Sequence, residues 1–219
     1  MALQNRVTPE GDIVATPARG FMLGNRGGCI HDGARRLTRR RWASRQWIVC
    51  RLEFKGRHRQ VMTPGRYTEL FFLDEATALA AGHRPCFECR REAALQFAEL
   101  WGKCRGQTHR AAATAMDQVL HAERLREDAG KQTFRSEIKG LPDGAMVCWD
   151  GEPHLVWAGR LLAWSFAGYG IRVPVPERAR AEVLTPAATC GVLLAGYRPS
   201  VHVSANIASH LVGGRRVLP

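Results

Sequence analysis

The sequence predicts an α+β protein with a metal-binding module in residues 1–104, a helical connector in 105–139 and a small β-rich, β-barrel-like module in 140–219. Three observations point there. The run from Phe71 to Arg91 closes a strand, passes through a short helix and turns at Gly82-His83-Arg84-Pro85 into Cys86-Phe87-Glu88-Cys89, which opens a new helix. Residues 111–126 then show helical spacing. From Gly140 onward the pattern changes to short apolar runs joined by two-residue turns.

Taken in order, residues 1–20 are polar, with Pro9, Gly11 and Pro17, and read as an irregular arm. Phe21-Met22-Leu23 reads as a short strand ending at Gly24-Asn25-Arg26-Gly27-Gly28, a loop whose glycines allow close backbone approach to a metal or a phosphate. Trp47 to Met62 alternates around Lys55-Gly56, the pattern of a hairpin. After the Pro64-Gly65 turn, Tyr67 to Leu73 forms a strand, and Asp74 caps a helix that stops at Gly82. The helix opened by the cysteine pair carries Leu95, Phe97, Ala98 and Trp101 as an apolar stripe. A helix over Ala111–Arg126 packs through Met116, Val119 and Leu120, leaving His121, Glu123 and Arg124 at a solvated edge.

In the last third, Ala145–Asp150, His154–Trp157 and Leu161–Phe166 read as a meander turning at Asp150-Gly151 and Ala158-Gly159, the size used by small barrels. Trp149, Trp157 and Trp164 fit either a core or a base-stacking face. Thr185-Pro186 reads as a helix start and Gly196 as its end. Ala195–Ser200 echoes Ala81–Cys86, with Ser200 where a cysteine would stand, so the second copy is no metal knuckle. Tyr197, Arg198, His202 and Ser204 form a polar cluster in an expected terminal strand, either structural or ligand-binding.

The chemistry concentrates at Cys86 and Cys89. Two thiolates at this spacing bind one ion at about 2.3 Å each, and Pro85 with the helix start turns both sulfurs one way. A tetrahedral site needs two more donors, and four residues upstream qualify: Cys29, His31, Cys50 and His58. Cys29 with His31 is the favoured pair. Cys50 shares a strand face with Ile48, Leu52 and Phe54, so it reads as a packing cysteine or, alternatively, as a ligand.

The segment Phe71–Arg91 resembles the metal-binding domain of the Ada-type alkyl-DNA repair proteins, where a strand, a short helix and an AAG-aromatic-RPC-xx-C-R knuckle supply the last two zinc ligands. The likeness covers 21 residues. It implies an Ada-like zinc module with the 47–62 hairpin inserted in it, Zn2+ as cofactor, and Cys29, His31, Cys86 and Cys89 as ligands. The family also has two cysteines four residues apart, about thirty residues before the knuckle, and this chain has no such pair. The whole chain also looks like bacterial proteins with the Gly24-Asn25-Arg26-Gly27 and Cys29-x-His31-Asp32 segments, a likeness that supplies no activity.

The family's chemistry is transfer of a methyl group from a DNA phosphotriester to a zinc-bound thiolate. Four thiolates on Zn2+ leave a charge of −2 and a reactive sulfur, whereas three with a neutral histidine leave −1 and a duller one. The Pro-Cys-His-Arg motif of the family's alkyltransferase partner domain is missing. A hydrolytic reading would place water on an open zinc position with Asp32 or Glu69 as base, although Asp32 equally suits a role fixing the His31 tautomer.

Charge is divided unevenly. Residues 1–110 hold 20 Lys+Arg against 10 Asp+Glu, and residues 111–219 hold 12 against 10. Arg35, Arg36, Arg39, Arg40, Arg41, Lys55, Arg57, Arg59, Arg90 and Arg91, with Trp42 for stacking, make a nucleic-acid surface, since the arginine fork grips phosphate with two hydrogen bonds. A solvated arginine-rich surface is the competing explanation. Seven cysteines, an odd number, favour thiols and metal over a disulfide framework, and no apolar run reaches the roughly 20 residues of a membrane span, so a cytoplasmic protein is expected. The expected task is zinc-stabilised binding of nucleic acid, DNA ahead of RNA. A repair or modification enzyme using a zinc-bound thiolate or zinc-activated water is the alternative, and a protein-interaction adaptor a third reading.

Overall fold

The computed structural model describes residues 2–56, 60–128 and 130–207. It is an α+β structure of two six-stranded sheets and four helices. The first sheet holds β1 (Gln4–Val7), β2 (Ile13–Ala15), β3 (Met22–Arg26), β4 (Trp47–Cys50), β5 (Leu70–Phe72) and the two-residue β6 (Arg84–Pro85), in the order β2-β1-β5-β3-β4-β6. The N-terminal stretch is therefore not an irregular arm. β1 and β2 pair antiparallel, and β1 docks parallel on β5 through Arg6 and Phe71. The alternating burial of Val7 and Ile13 supplies the apolar face that justifies the pairing.

The expected 47–62 hairpin does not form, because β4 takes its partners from elsewhere. It pairs antiparallel with β3 and parallel with β6, and no strand occurs among the described residues of 51–69. Both edges of β4 are thereby used. Helix α1 (Glu75–Ala80) covers this sheet, starting where Asp74 accepts a hydrogen bond from the Thr77 amide at 2.9 Å. It ends at Gly82, whose φ of +84° suits glycine.

The knuckle opens α2 (Arg91–Lys103), whose Ala94, Phe97, Ala98 and Trp101 are buried at helical spacing. α3 (Ala113–Arg124) follows, with Met116 and Leu120 fully buried. The second sheet holds β7 (Phe134–Glu137), β8 (Met146–Trp149), β9 (Glu152–Trp157), β10 (Arg160–Ser165), β11 (Gly168–Pro174) and β12 (Arg180–Val183). Its order is β11-β10-β9-β8-β12-β7, antiparallel throughout. The barrel expectation is corrected here: β11 and β7 are opposite edges, and the sheet stays open.

It stays open because both faces are covered. Val147, Val156, Leu161 and Val183 face a core built with α2, α3 and α4 (Ala187–Leu194), while their neighbours Met146, Leu155, Leu162 and Leu184 face Leu73, Ala76 and Ala80. Alternate side chains thus enter different cores, which is why these strands read as continuous apolar runs. Both cores mix residues from either side of positions 104 and 139. The meander turns fall at Asp150-Gly151 and Ala158-Gly159, all four residues with positive φ, as two-residue hairpin turns require.

Two buried carboxylates tie the C-terminal segment to the first sheet. Glu75 takes both terminal nitrogens of Arg90 at 2.6 and 2.7 Å, the Tyr197 hydroxyl at 2.6 Å and the Ser200 amide at 2.8 Å. Asp74 accepts from the Tyr169 hydroxyl at 2.7 Å and the His202 amide at 2.9 Å. Tyr197 and the His202 amide of the polar cluster near the end of the described chain are thereby bonded into the scaffold, and Val203–Ala205 is a single 3-10 turn in place of a strand. The three tryptophans do not share a stack: Trp149 packs on the α2–α4 core, whereas Trp157 and Trp164 pack on the other face.

Candidate metal centre

The cysteine pair meets a third cysteine from the sheet. β6 runs parallel to β4 in the register Ile48 to Arg84 and Val49 to Pro85, and the Cys86 amide donates to the Val49 carbonyl at 3.0 Å. One residue further on each strand lie Cys50 and Cys86. The chain then turns through Phe87-Glu88, the Arg90 amide closing on the Cys86 carbonyl at 3.1 Å, and returns Cys89 to the same point. The sulfurs of Cys50, Cys86 and Cys89 lie within 4.8 Å of one another and can hold a metal ion.

The surroundings suit a thiolate. The Cys86 sulfur accepts hydrogen bonds from the Cys50 and Cys89 thiols first, and also from the Glu88 and Cys89 amides, which pull it down to about 2. Cys50 is pushed up, first by its bonds to Cys86 and Cys89 and then by burial. The Cys50 thiol draws Cys89 down, but Cys86 and burial prevail and raise it. Three sulfurs this close oppose one another's ionisation. A divalent cation would let all three ionise, which is the fit expected of a thiolate metal site.

Cys29 and His31 are not brought to this cluster. β3 runs antiparallel to β4 with Leu23 opposite Cys50 and Arg26 opposite Trp47, so the chain beyond Arg26 leaves from the far end of the strand pair. There the His31 Nδ1 lies 2.6 Å from the Thr68 hydroxyl and 3.6 Å from the Cys29 sulfur, and its Nε2 lies 3.2 Å from the Thr63 carbonyl. Asp32 does not touch the imidazole. It accepts from the Ala34 and Arg36 amides at 2.9 Å and pairs with the Arg36 side chain. His58 lies outside the described residues.

Of the two readings of Cys50, packing residue or ligand, the shared face with Ile48, Leu52 and Phe54 favours the first, and the structure places its sulfur beside Cys86 and Cys89. Trp47 and Val49 are the buried residues of β4, while Ile48 and Cys50 are half-buried. A cysteine on the wetter face of a strand next to a Cys-x-x-Cys turn was the available signal.

The expected nucleic-acid residues divide. Arg36, Arg39, Arg40, Arg41, Lys55 and Arg91 are exposed, and Arg35 and Trp42 are half-buried. Arg39, Arg40, Arg41 and Trp42 line a shallow groove of about 450 Å³. Arg90 is buried against Glu75 and belongs to the scaffold. Arg57 and Arg59 lie outside the described residues.

A second cationic site was not anticipated. A cavity of about 530 Å³ is lined by Arg26, Arg41, Arg124, Lys131, Trp42 and Trp47, with Glu10 and Asp12 at its wall. No helix among the described residues is long and apolar enough to cross a membrane. No family model, no curated protein and no solved structure matches the chain.

Proposed function

We propose that the chain is a zinc-stabilised nucleic-acid-binding protein in which Cys50, Cys86 and Cys89 hold the metal and the Arg39-Arg40-Arg41-Trp42 groove meets phosphates, with DNA ahead of RNA. The observation that carries the reading is the convergence of the three sulfurs at the end of β4, in the same sheet that carries the arginine-rich loop between β3 and β4. Zinc is the natural ion for a sulfur-only donor set, and when bound it supplies cross-linking of β4 to the knuckle. The resemblance of the knuckle to Ada-type domains supports the same ion. The exposed arginines supply a sequence-independent attraction to phosphate, and Trp42 offers an aromatic edge beside them.

The experiment is duplex DNA and duplex RNA binding over a salt series. Steep loss of affinity with ionic strength supports the reading, and affinity insensitive to salt rejects it.

A second reading is a repair enzyme in which a sulfur accepts a methyl group. It is favoured by one observation, that the three donors are all cysteines, which keeps a metal-bound sulfur electron-rich. Peptide mass analysis after exposure to methyl-phosphotriester DNA tests it. A single added methyl on Cys50, Cys86 or Cys89 supports the reading, and unmodified cysteines reject it.

A further inference from the structure

The cavity beside Trp47 gathers buried positive charge. Arg26 and Arg124 are 3% and 1% exposed, and each guanidinium carbon stands 3.9 Å from the Trp47 ring centre. Their partners are uncharged: Arg26 donates to the Gly11 carbonyl at 2.7 Å and the Arg41 carbonyl at 3.4 Å, and Arg124 to the Gly82 carbonyl at 2.9 Å and the Arg45 carbonyl at 2.7 Å, with the His121 Nδ1 at 3.2 Å. Lys131 donates to the Ala80 carbonyl. Carbonyls orient these cations without neutralising them. Among the described residues none of the three is within ion-pair distance of a carboxylate. The Nε atoms of both arginines are buried and bonded to nothing, as are both ring nitrogens of His83, which packs between Trp47 and Phe72. Unpaired buried donors and cations of this kind are costly unless a ligand completes them.

The charge count names the ligand class. With Lys131 protonated, Arg26, Arg41, Arg124 and Lys131 face Glu10 and Asp12 around one cavity, an excess of two positive charges. A phosphate monoester carries close to two negative charges at neutral pH, and an internal phosphodiester only one. The volume is in the range of small-ligand sites, roughly 300 to 1,000 Å³, and too large for a bare phosphate alone. Trp42 lines both this cavity and the arginine groove, so an aromatic ring entering from the groove meets its face or edge.

We propose that this cavity binds the phosphomonoester of a nucleotide, with the phosphate held by Arg26, Arg124 and Lys131, Arg41 closing the mouth and the base against Trp42. The proposal deepens the nucleic-acid reading and rests on it for the source of the nucleotide, either a free nucleoside monophosphate or the 5′-phosphorylated end of a strand.

The test is calorimetric titration of the full chain with adenosine 5′-monophosphate, adenosine, and one single-stranded oligonucleotide prepared with a 5′-phosphate or a 5′-hydroxyl. The monophosphate is expected to bind at least about tenfold more tightly than adenosine, since a charged hydrogen-bonded group contributes upward of 1.4 kcal/mol. Arg41→Ala and Lys131→Met should each weaken that binding about tenfold. Arg41 is exposed, so its variant folds and keeps the test valid if Lys131→Met does not fold. A matching preference for the 5′-phosphorylated oligonucleotide assigns the site to strand ends; a preference confined to the monophosphate assigns it to free nucleotide. Equal binding of adenosine and its monophosphate, no binding of either phosphorylated probe, or binding indifferent to Arg41→Ala would overturn the proposal. The 5′-hydroxyl oligonucleotide reports the groove separately, because its salt-dependent binding needs no terminal phosphate.

Discussion

Cys50 and Cys86 meet because β4 and β6 are parallel and in register, the Cys86 amide bonded to the Val49 carbonyl at 3.0 Å. The cysteine pair of the knuckle is local, but its third partner is reached only through a tertiary strand pairing. The centre therefore stands on the first sheet as much as on the turn, and losing it should loosen both.

That dependence is testable by chelation. Removing the metal with a strong chelator should lower the thermal midpoint of the chain and expose Cys50, Cys86 and Cys89 to thiol reagents together. The number of titrating thiols, counted with and without chelator, is the measurement. An increase of three is expected.

The groove should behave as a phosphate surface. Arg39→Ala with Arg40→Ala removes two exposed cations, so the thermal midpoint should stay put. Duplex DNA affinity should fall, and the slope of log affinity against log salt should flatten by up to about 0.9 per lost phosphate contact. Filter binding at several salt concentrations measures both.

Glu75 links the knuckle helix to the C-terminal segment through Arg90, Tyr197 and Ser200. Glu75→Gln leaves the Arg90 charge buried without its partner and should cost about 3 to 5 kcal/mol. Asp128→Asn, which breaks an exposed pair with Arg126, should leave the unfolding midpoint nearly unchanged. Denaturant unfolding of the two variants gives the comparison.

Lys131 provides a pH signature. Burial, followed by Arg26 and with Arg124 behind it, holds its ammonium down to about 7 from the usual 10.5, while Glu10 pulls the other way. Arg41, Asp12 and His83 complete the charged and titratable surroundings. A cation with a depressed value binds fewer protons folded than unfolded between those two points. Wild-type stability should therefore rise with pH from about 7 to about 10.5 relative to Lys131→Met, with the difference flat below about 7. Unfolding free energies of both proteins across that window measure it; a constant difference would show that Lys131 is not held in this environment.

Local chemistry was the legible part of the chain. Asp74, Gly82 and the Asp150-Gly151 and Ala158-Gly159 turns mark element ends through capping and φ requirements that act within a few residues, and each falls where the pattern puts it. Strand partnership was not legible. The alternation in Trp47–Cys50 shows that one face is buried, but nothing in it says that the neighbours are β3 and β6, so a hairpin was expected where none forms. The same gap left Cys50 as only the alternative to Cys29 and His31, which are close in sequence to each other but leave from the opposite end of β3. The cationic cavity was invisible for a related reason: Arg26, Arg124 and Lys131 come from three separated segments, and in sequence Arg124 reads as a solvated helix edge.

The most direct test of the metal centre is zinc content by elemental analysis on the wild type and on Cys29→Ser, His31→Ala, Cys50→Ser, Cys86→Ser and Cys89→Ser. The account predicts one zinc per chain, lost with Cys50, Cys86 or Cys89 and kept with Cys29 or His31. Zinc that survives Cys50→Ser but is lost with Cys29→Ser or His31→Ala would contradict it.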